Sequence, residues 1–589
     1  MLYKAYLRTF LIYLGFFAGY VLVMLSARLL TTEHLALSED WGYVAVFGLL
    51  FTSVAGFVRP CRKMWSLFLL YIILYLAAAL TKRWNGMILS EREIVHTLCL
   101  ATFLYAFVAI LMGAAEYIKS KILKAIGIVL YVVTLLMPMV MIFYFVLNKA
   151  VFSADIALTL FQTNSAEIIA YLQDQNCVLW LVASLAVIGL VGGLIYFFAG
   201  LKYDARFFKT VWVLSVAVFV WSGLKVFPKI NVNFAYHISY HVYETLKTFA
   251  LYEKSTNERL TQIEALRGQV SSAYQKGIFV LAIGESQTRD HMSAYGYDRQ
   301  TTPWLDDIKK NQNVILFDQA YSNHTHTVPT LSYALSSQDQ YHDKTSDQAL
   351  SLIEIAKAAG FHVYWISNQP KDSIFVTPLT VMASLADKQI WLNGSVGDKM
   401  STEYYDGKLV DVLQYLKPAE KSLIILHFMG SHGAYRDRYP AKFDVFKSQN
   451  KFVDAYDNSI LYTDFVLQSI AETLEHNENF KALVYFSDHG DDADHKRGHE
   501  SSRFTYEMSR IPLLIVASDE LASEDHFKTL QAQKHVIFTN DLIYDLMLDL
   551  MQIKGVQKDE AYSLTGGHYI LNRDNALTLH GQKALKDEN

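Results

Sequence analysis

Apolar residues follow two different patterns along the chain, and the change lies near residue 227. Before it, several apolar runs are long enough, or nearly so, to cross a hydrocarbon layer of about 30 Å as helices. The seven runs are 9–27, 42–58, 64–80, 94–115, 125–147, 178–201 and 210–227. After residue 276, short β-rich runs alternate with helical patterns, which is typical of an α/β domain.

Three parts follow from this change of pattern. We predict an all-α polytopic membrane domain at 1–227, interfacial linker helices at 228–276, and an α/β domain at 277–589. The linker carries aromatic residues among its charges, namely Tyr236, Tyr240, Tyr243 and Phe249. Such aromatics are typical of a helix at the membrane interface, although an ordinary amphipathic linker helix fits the same pattern.

Basic residues occupy every second connection between the apolar runs: Arg59, Arg62 and Lys63, then Lys119, Lys121 and Lys124, then Lys202, Arg206 and Lys209. The positive-inside rule therefore places the N-terminus in the cytoplasm. An odd number of spans places the α/β domain outside it, together with the segment 150–177 between the fifth and sixth runs. In a Gram-negative cell, we expect a multi-pass inner-membrane protein whose α/β domain is periplasmic. The first run lacks a small-residue cleavage site and reads as a retained span.

Charge and cysteine content exclude some classes of function. The net charge of −5 is small and gives no reason to expect a nucleic-acid partner. All three cysteines (Cys61, Cys99 and Cys177) lie in the first half. The α/β domain therefore has neither a disulfide nor a cysteine-based metal site.

The α/β domain predicts a mostly parallel central sheet covered by helices on both faces. The predicted strands are 277–284, 314–322, 361–367, 422–429, 482–487 and 511–517. The predicted helices are 303–310, 328–336, 350–359, 407–416, 453–475 and 540–551. Active sites of such sheets lie at the carboxyl ends of the strands, so the residues directly after each strand matter most.

Candidate metal ligands follow two of these strands. Glu285 comes after the first, and Asp488 and His489 come after the fifth. Zinc accepts this mixture of carboxylate and imidazole and keeps a fourth position for the reacting group. The alternative is that the Asp-His pair only caps a following helix.

A candidate nucleophile lies in SNHTHTVPTLSYALSS (322–337), where Thr325 and Thr327 precede Pro329. Proline suits the first turn of a helix, and a hydroxyl there meets free backbone N–H groups that bind phosphate oxygens. The alternative is a plain threonine N-cap. Three histidines also follow strands: His432 after the fourth, and His495 and His499 after the fifth. They could bind phosphate, protonate a leaving oxygen or hold a second metal.

Together these motifs resemble the phosphoethanolamine transferases of the alkaline phosphatase/sulfatase superfamily, which decorate lipid A, lipopolysaccharide core or surface proteins. The resemblance starts near residue 160 and rests on several motifs: GES…SAYGYDRQTTPWL (284–305), the Thr-Val-Pro helix start, WISN (365–368), GSHG (430–433), YDNSILYTDFVL (456–467) and SDHG (487–490). It implies a sulfatase-like catalytic domain and zinc bound by Glu285, Asp488, His489 and the nucleophilic threonine. His432 and His499 match histidines around the transferred phosphate, and Asn368 is expected to bind substrate.

The membrane half adds FQTNSAEIIAYL (161–172), which resembles a segment of the family that faces the lipid headgroup. This implies substrate contacts for Thr163 and Glu167, although a solvated interfacial helix is the alternative. The threonine register has two solutions. Sulfatases place a Leu-Thr pair eight and nine residues after the nucleophile, and counting back from Leu335-Ser336 by this spacing selects Thr327. Counting back from Val328-Pro329, as in the colistin-resistance enzymes, lands on His324, and only a one-residue gap would select Thr325. We predict Thr327.

Two departures from the lipid A enzymes leave the acceptor and polymyxin resistance open. Those enzymes usually have five spans and several disulfides in the catalytic domain, whereas this sequence has seven predicted spans and no cysteine in that domain. The resemblance implies that Thr327 attacks phosphatidylethanolamine, releases diacylglycerol and passes phosphoethanolamine to lipid A or lipopolysaccharide core. Phosphoglycerol transfer and an inactive sulfatase-like membrane sensor are the alternatives. A monomer is expected, and the zinc count, one or two, stays open.

Overall fold

The computed structural model describes the second half of the chain almost completely and the first half in part. The described residues are 61–162 without 86 and 88, scattered helical positions between 184 and 224, and 234–588 without 255, 347, 371–376, 394–404 and 567. They divide into two compact units, and residues from Glu244 onward belong to the second. The predicted spans 9–27 and 42–58 lie outside the described residues.

Long helices make up most of the described part of the first unit. They are α1 (Cys61–Trp84), α2 (Glu91–Tyr117), α3 (Lys121–Asn148) and the shorter α4 (Ala154–Gln162), which crosses the boundary of the units. The first three cover the predicted spans 64–80, 94–115 and 125–147. Among the described residues, the stretches Glu93–Ala115 and Lys121–Asn148 are long and apolar enough to cross a membrane.

Helix α3 has two apolar faces that differ in exposure. Tyr131 and Leu135 are buried against neighbouring helices of the unit. Val129, Val133 and Val140 are 59%, 53% and 41% exposed, although they are as apolar as the buried residues. The spacing of three to four residues places each set on its own face. An apolar exposed face of this kind is what a lipid-facing helix requires.

Two helices cover most of the predicted linker: α5 (Phe234–Lys254) and α6 (Thr256–Leu266). Helix α6 is joined to the rest of the second unit by a buried ion pair, in which Arg259 Nη1 lies 3.1 Å from Glu354 Oε2. Arg259 is 3% exposed and Glu354 is fully buried, so removing either partner would leave an uncompensated buried charge.

Thirteen strands are assigned in the described part of the second unit. The main ones are β2 (Gly277–Gly284), β3 (Val314–Phe317), β5 (His362–Ser367), β6 (Lys388–Trp391), β7 (Lys421–His427), β8 (Phe480–Ser487) and β9 (Leu513–Ala517). They form one sheet in the order β3-β9-β8-β2-β7-β5-β6. Strand β9 runs antiparallel to both neighbours, and the other six strands share one direction. The sheet is therefore mixed, with a parallel centre.

Short strands complete the set: β1 (Ser271–Ser272), β4 (Ala320–Tyr321), β10 (Phe538–Thr539), β11 (Ile553–Lys554), β12 (Leu577–Thr578) and β13 (Lys583–Ala584). The helices are α7 (Pro303–Ile308), α8 (Thr327–Ala334), α9 (Leu352–Ala358), α10 (Pro378–Ser384), α11 (Gly407–Tyr415), α12 (Lys451–Glu475), α13 (Asp519–Ser523), α14 (Asp525–Ala532) and α15 (Ile543–Leu550). Each of the six predicted strands and six predicted helices overlaps one of these elements.

Helices cover both faces of the central strand β2. Phe279, Leu281 and Ile283 belong to one hydrophobic core, and Ile278, Val280 and Ala282 belong to another. All eight residues of β2 are buried because alternate side chains enter opposite cores. A strand buried on both faces can present polar chemistry only beyond its end, which is where Glu285 lies.

Candidate functional site

Neighbouring strands bring the predicted metal ligands together. Strands β2 and β8 are parallel and adjacent, with Gly284 paired to Ser487 at their carboxyl ends. Glu285 follows the first residue of this pair and Asp488 the second, so both leave the sheet at the same edge. This register brings Glu285 next to Asp488 and His489, the two sets of metal ligands that the sequence predicts at one edge of the sheet.

The three ligand candidates converge in the interior. His489 Nε2 lies 3.4 Å from Glu285 Oε1 and 3.5 Å from Asp488 Oδ2. All three side chains are buried, and each offers one ligand atom within 4.8 Å of the other two. Asp488 Oδ2 and His489 Nε2 are buried without a hydrogen-bond partner among the described residues. Because buried polar atoms are rarely left unsatisfied, this arrangement fits a bound cation.

Backbone contacts fix which atoms face this point. His489 Nδ1 lies 3.1 Å from the carbonyl oxygen of Gly490, which leaves Nε2 directed at the two carboxylates. Asp488 Oδ1 accepts the N–H groups of Ser286 (3.1 Å) and His489 (2.7 Å), so only Oδ2 is left for a ligand. Outer partners of this kind hold metal ligands in orientation.

The three groups also shift one another's pKa. Burial alone would raise the pKa of Glu285, but the adjacent His489 side chain, through its positive charge, holds that pKa well below its usual range. Burial and the charge of Glu285 raise the pKa of Asp488 well above its usual range. Burial would lower the pKa of His489, but Asp488 and Glu285 raise it to about 10. A divalent cation would take the place of these protons.

The two candidate threonines point to different partners. Thr327 is the first residue of helix α8, and its Oγ1 donates to Glu285 Oε2 at 3.0 Å. Thr325 is buried in the preceding loop, with Oγ1 3.2 Å from His326 Nδ1. Thr327 therefore lies at the helix N-terminus and in contact with a candidate metal ligand.

The loop after β7 carries His432 and packs against Glu285. Ser431 N donates to the carbonyl of Glu285 at 2.9 Å, and the charge of His432 helps to lower the pKa of Glu285. Gly430, with φ of +52°, lies so close that a Cβ atom would be 2.8 Å from Glu285 N. Only glycine accepts both this backbone conformation and this contact.

Asp406 fastens that loop from behind. Its carboxylate accepts the N–H groups of Met429 and Gly430 and the side-chain amide of Asn368, each at 2.8 Å. Asn368 is fully buried, and its side-chain amide donates to Asp406. The contact of Asn368 with substrate stays a prediction.

The loop after β8 orients His499 towards the site. His499 Nδ1 lies 2.8 Å from Asp491 Oδ1, and its ring centroid lies 4.4 Å from that of His489. His489, Asp491 and His499 form a second group with metal-ligand spacing. His495 instead pairs with Asp492 and is 61% exposed.

Asn540 is a buried link that the sequence reading missed. Its Nδ2 donates to the carbonyl of Asp488 at 2.8 Å, and its Oδ1 accepts the backbone N–H of Asn323 at 2.8 Å. It therefore ties a candidate metal ligand to the loop that leads to Thr327. It lies in the predicted helix 540–551, but the asparagine itself carried no local signal. Thr163 and Glu167 lie outside the described residues.

Known proteins share both the domain and much of the chain. Residues 278–553 match the Sulfatase family. Phosphoethanolamine transferase EptC of Escherichia coli K12 is 28% identical over 440 residues, 69% of this chain and 76% of the relative. Phosphoethanolamine transferase EptA of Helicobacter pylori is 26% identical over 411 residues, 64% and 74% respectively.

A solved structure has the same fold over most of the chain. It is the integral membrane protein lipooligosaccharide phosphoethanolamine transferase A (EptA) from Neisseria meningitidis. The match covers 84% of this chain and 97% of that one, with a TM-score of 0.59 and 18% identity. At this identity, the likeness concerns the fold of the matched part and nothing finer.

Proposed function

This chain is a homologue of phosphoethanolamine transferases with a sulfatase domain of the alkaline phosphatase superfamily, and we propose that it moves phosphoethanolamine from phosphatidylethanolamine to a hydroxyl or phosphate of a cell-envelope glycolipid. The observation that carries the proposal is the Thr327 hydroxyl, hydrogen-bonded to Glu285 at 3.0 Å beside Asp488 and His489. A nucleophile at a helix N-terminus and a buried ligand cluster are what phosphoryl transfer to a threonine requires.

Glu285, Asp488, His489 and Thr327 would hold one zinc ion. The donor set is two carboxylates, one imidazole and one hydroxyl, which suits zinc, and the orphaned Asp488 Oδ2 and His489 Nε2 support the fit. When bound, zinc would lower the pKa of the threonine hydroxyl and stabilise negative charge on the transferred group.

In the first step, Thr327 Oγ1 forms a bond to the phosphorus of the donor, and the bond between phosphorus and the glycerol oxygen breaks. The Glu285 carboxylate orients the hydroxyl through its hydrogen bond. The hydroxyl proton passes to solvent water, because Glu285, with a pKa well below its usual range, is too weak a base to keep it. His432 or His499 gives a proton to the departing oxygen, and diacylglycerol is released.

In the second step, an acceptor oxygen attacks the phosphothreonine phosphorus and the bond to Thr327 breaks. The same histidine takes the acceptor proton, and Thr327 regains a proton from solvent water. Each group returns to its initial state, so the chain turns over without a co-reactant.

The proposal places the second unit in the periplasm of a multi-pass inner-membrane protein that acts as a monomer. Thr163, Glu167 and Asn368 are the proposed headgroup and substrate contacts. Support for a membrane location comes from the apolar helices Glu93–Ala115 and Lys121–Asn148.

Transfer can be measured with purified full-length protein in detergent, phosphatidylethanolamine labelled in the ethanolamine carbon, and lipopolysaccharide as acceptor. The proposal predicts label in the glycolipid and release of unlabelled diacylglycerol, both lost in Thr327→Ala and retained in Thr325→Ala. Transfer only from phosphatidylglycerol would indicate the phosphoglycerol reaction instead, and no transfer from either lipid would contradict catalysis.

A further inference from the structure

The C-terminal hairpin of the second unit has an unusual turn. Strands β12 and β13 pair through Leu577 with Ala584 and Thr578 with Lys583. Between them, Leu579, His580 and Gly581 have φ of +50°, +49° and +81°. Two consecutive non-glycine residues in the left-handed region are strained and persist only where surrounding contacts enforce them.

The contacts of this turn are made with the loop that leads to Thr327. The backbone N–H of His580 donates to the carbonyl of Asn323 at 2.9 Å, and its ring Nε2 lies 2.9 Å from Asn323 Oδ1. Thr578 Oγ1 donates to the carbonyl of Ser322 at 2.7 Å. Three hydrogen bonds therefore join the hairpin to two consecutive residues of the loop.

The direction of the side-chain bond follows from the Asn323 amide. Asn323 Nδ2 donates to the carbonyl of Thr330 (3.2 Å) and to Asn540 Oδ1 (2.8 Å), so Asn323 Oδ1 is the acceptor and His580 Nε2 the donor. Asn323 is fully buried and thus depends on protein partners for its hydrogen bonds.

The His580 ring also lies against helix α8. It stacks on Tyr333 with centroids 4.0 Å apart and planes 11° from parallel. Its centroid lies 4.9 Å from the ring of His324 in the loop. His580 therefore contacts the chain both before and after Thr327.

We propose that His580 is a positioning residue, which fixes the loop and helix on either side of Thr327 and so sets the threonine hydroxyl against Glu285. Asn540 anchors the same loop to Asp488, so Asn323 is held both by Asn540 and by the hairpin. This role rests on the proposed function, because the position of the hydroxyl affects catalysis only if Thr327 is the nucleophile. Removing His580 should affect the rate more than substrate binding, since a displacement of about 1 Å can cost about a hundredfold in rate.

Two substitutions separate the hydrogen bond from the turn conformation. The glutamine amide nitrogen in His580→Gln can reach the place of Nε2, although glutamine has no preference for a positive φ. Asparagine in His580→Asn favours that φ but is too short to reach Asn323 Oδ1. Gln582→Ala, an exposed position on the same hairpin, is the matched control.

We expect kcat to fall about ten- to a hundredfold in His580→Ala and His580→Asn, with KM nearly unchanged and His580→Gln close to wild type. Retained activity in His580→Asn together with a loss in His580→Gln would show that only the turn matters and would overturn the proposal. So would a kcat in His580→Ala equal to that of Gln582→Ala.

Amide hydrogen exchange across 322–331 gives a readout that does not depend on the reaction. The amides of this segment should exchange faster in His580→Ala and His580→Asn than in wild type, His580→Gln or Gln582→Ala. Equal exchange in all five proteins would refute the positioning role even if transfer is observed. If wild type transfers nothing, the proposed function fails, and the exchange comparison still decides whether His580 holds the loop.

Discussion

Gly430 and Glu285 lie in direct backbone contact: a Cβ atom at Gly430 would be 2.7 Å from the carbonyl oxygen of Glu285. Gly430 also has φ of +52°, where residues with side chains are strained. The loop that carries His432 can therefore approach the candidate metal centre only because this position has no side chain.

Gly430→Ala should displace the loop or Glu285. We expect zinc content to fall and transfer to drop by about a hundredfold, because ångström-scale displacement at a reacting centre has that effect. Gly433→Ala is the matched control in the same loop, since nothing lies within 4 Å of its Cβ position and its φ is ordinary. Equal activity in the two variants would contradict the contact.

Asp491 and His499 should act as one unit. The Asp491 carboxylate lies 2.8 Å from His499 Nδ1 and orients the ring. We expect Asp491→Ala and His499→Ala each to lower transfer by about 10- to 100-fold, with the double variant no worse than His499→Ala. Steady-state rates of the three variants test this, and multiplicative losses would show that the two residues act independently.

Metal binding should depend on Asp488 and not on the nearby surface histidine. Asp488→Asn removes a charged ligand from the buried cluster, so we expect loss of bound zinc and of transfer in a folded protein. His495→Ala should keep both, because His495 is exposed and paired with Asp492. Elemental analysis of the zinc content of the purified wild type and variants tests this expectation. A full complement of zinc in Asp488→Asn would exclude this residue as a ligand.

Asp464 should make stability depend on pH. Its carboxylate accepts the N–H groups of Trp304 (2.8 Å) and Leu305 (3.2 Å) at the start of α7. Burial, opposed by these two bonds, raises the pKa of Asp464 to about 7, above the ordinary 3.8. Between these values the folded state holds a proton that the unfolded state has lost, so this contribution to stability falls as pH rises.

Asp464→Asn removes that titration. The Tm of wild type should therefore fall relative to that of Asp464→Asn between about pH 4 and about pH 7. Thermal unfolding of both proteins across this range measures the difference. A constant gap in Tm would mean that the folded and unfolded pKa values of Asp464 are alike.

Local sequence patterns predicted the main strands and the residues that follow them. Apolar runs located β2 and β8, and the parallel sheet then required Glu285 and Asp488 to leave at one edge. The antiparallel direction of β9 was not predicted, because an apolar run has no visible direction. Strand β6 (Lys388–Trp391) was missed because it is a short, half-exposed strand at the edge of the sheet without an apolar run.

The residues that hold the site in place could not be predicted in this way. Asp406, Asn540 and His580 are distant in sequence from the ligands they support, and each acts through a tertiary hydrogen bond. The first residue of α8 also differs from the prediction. Its N-cap is His326, without a side-chain cap, so the helix begins one residue earlier than the pattern Val328-Pro329 indicated.

The most direct test of the account is the residue that carries the transferred group. Purified protein incubated with phosphatidylethanolamine, without acceptor, should accumulate a phosphoethanolamine adduct. Intact-mass analysis and peptide mapping should place that adduct on Thr327, whose hydroxyl contacts Glu285, and Thr327→Ala should form none. An adduct on Thr325, or transfer that persists in Thr327→Ala, would contradict the account.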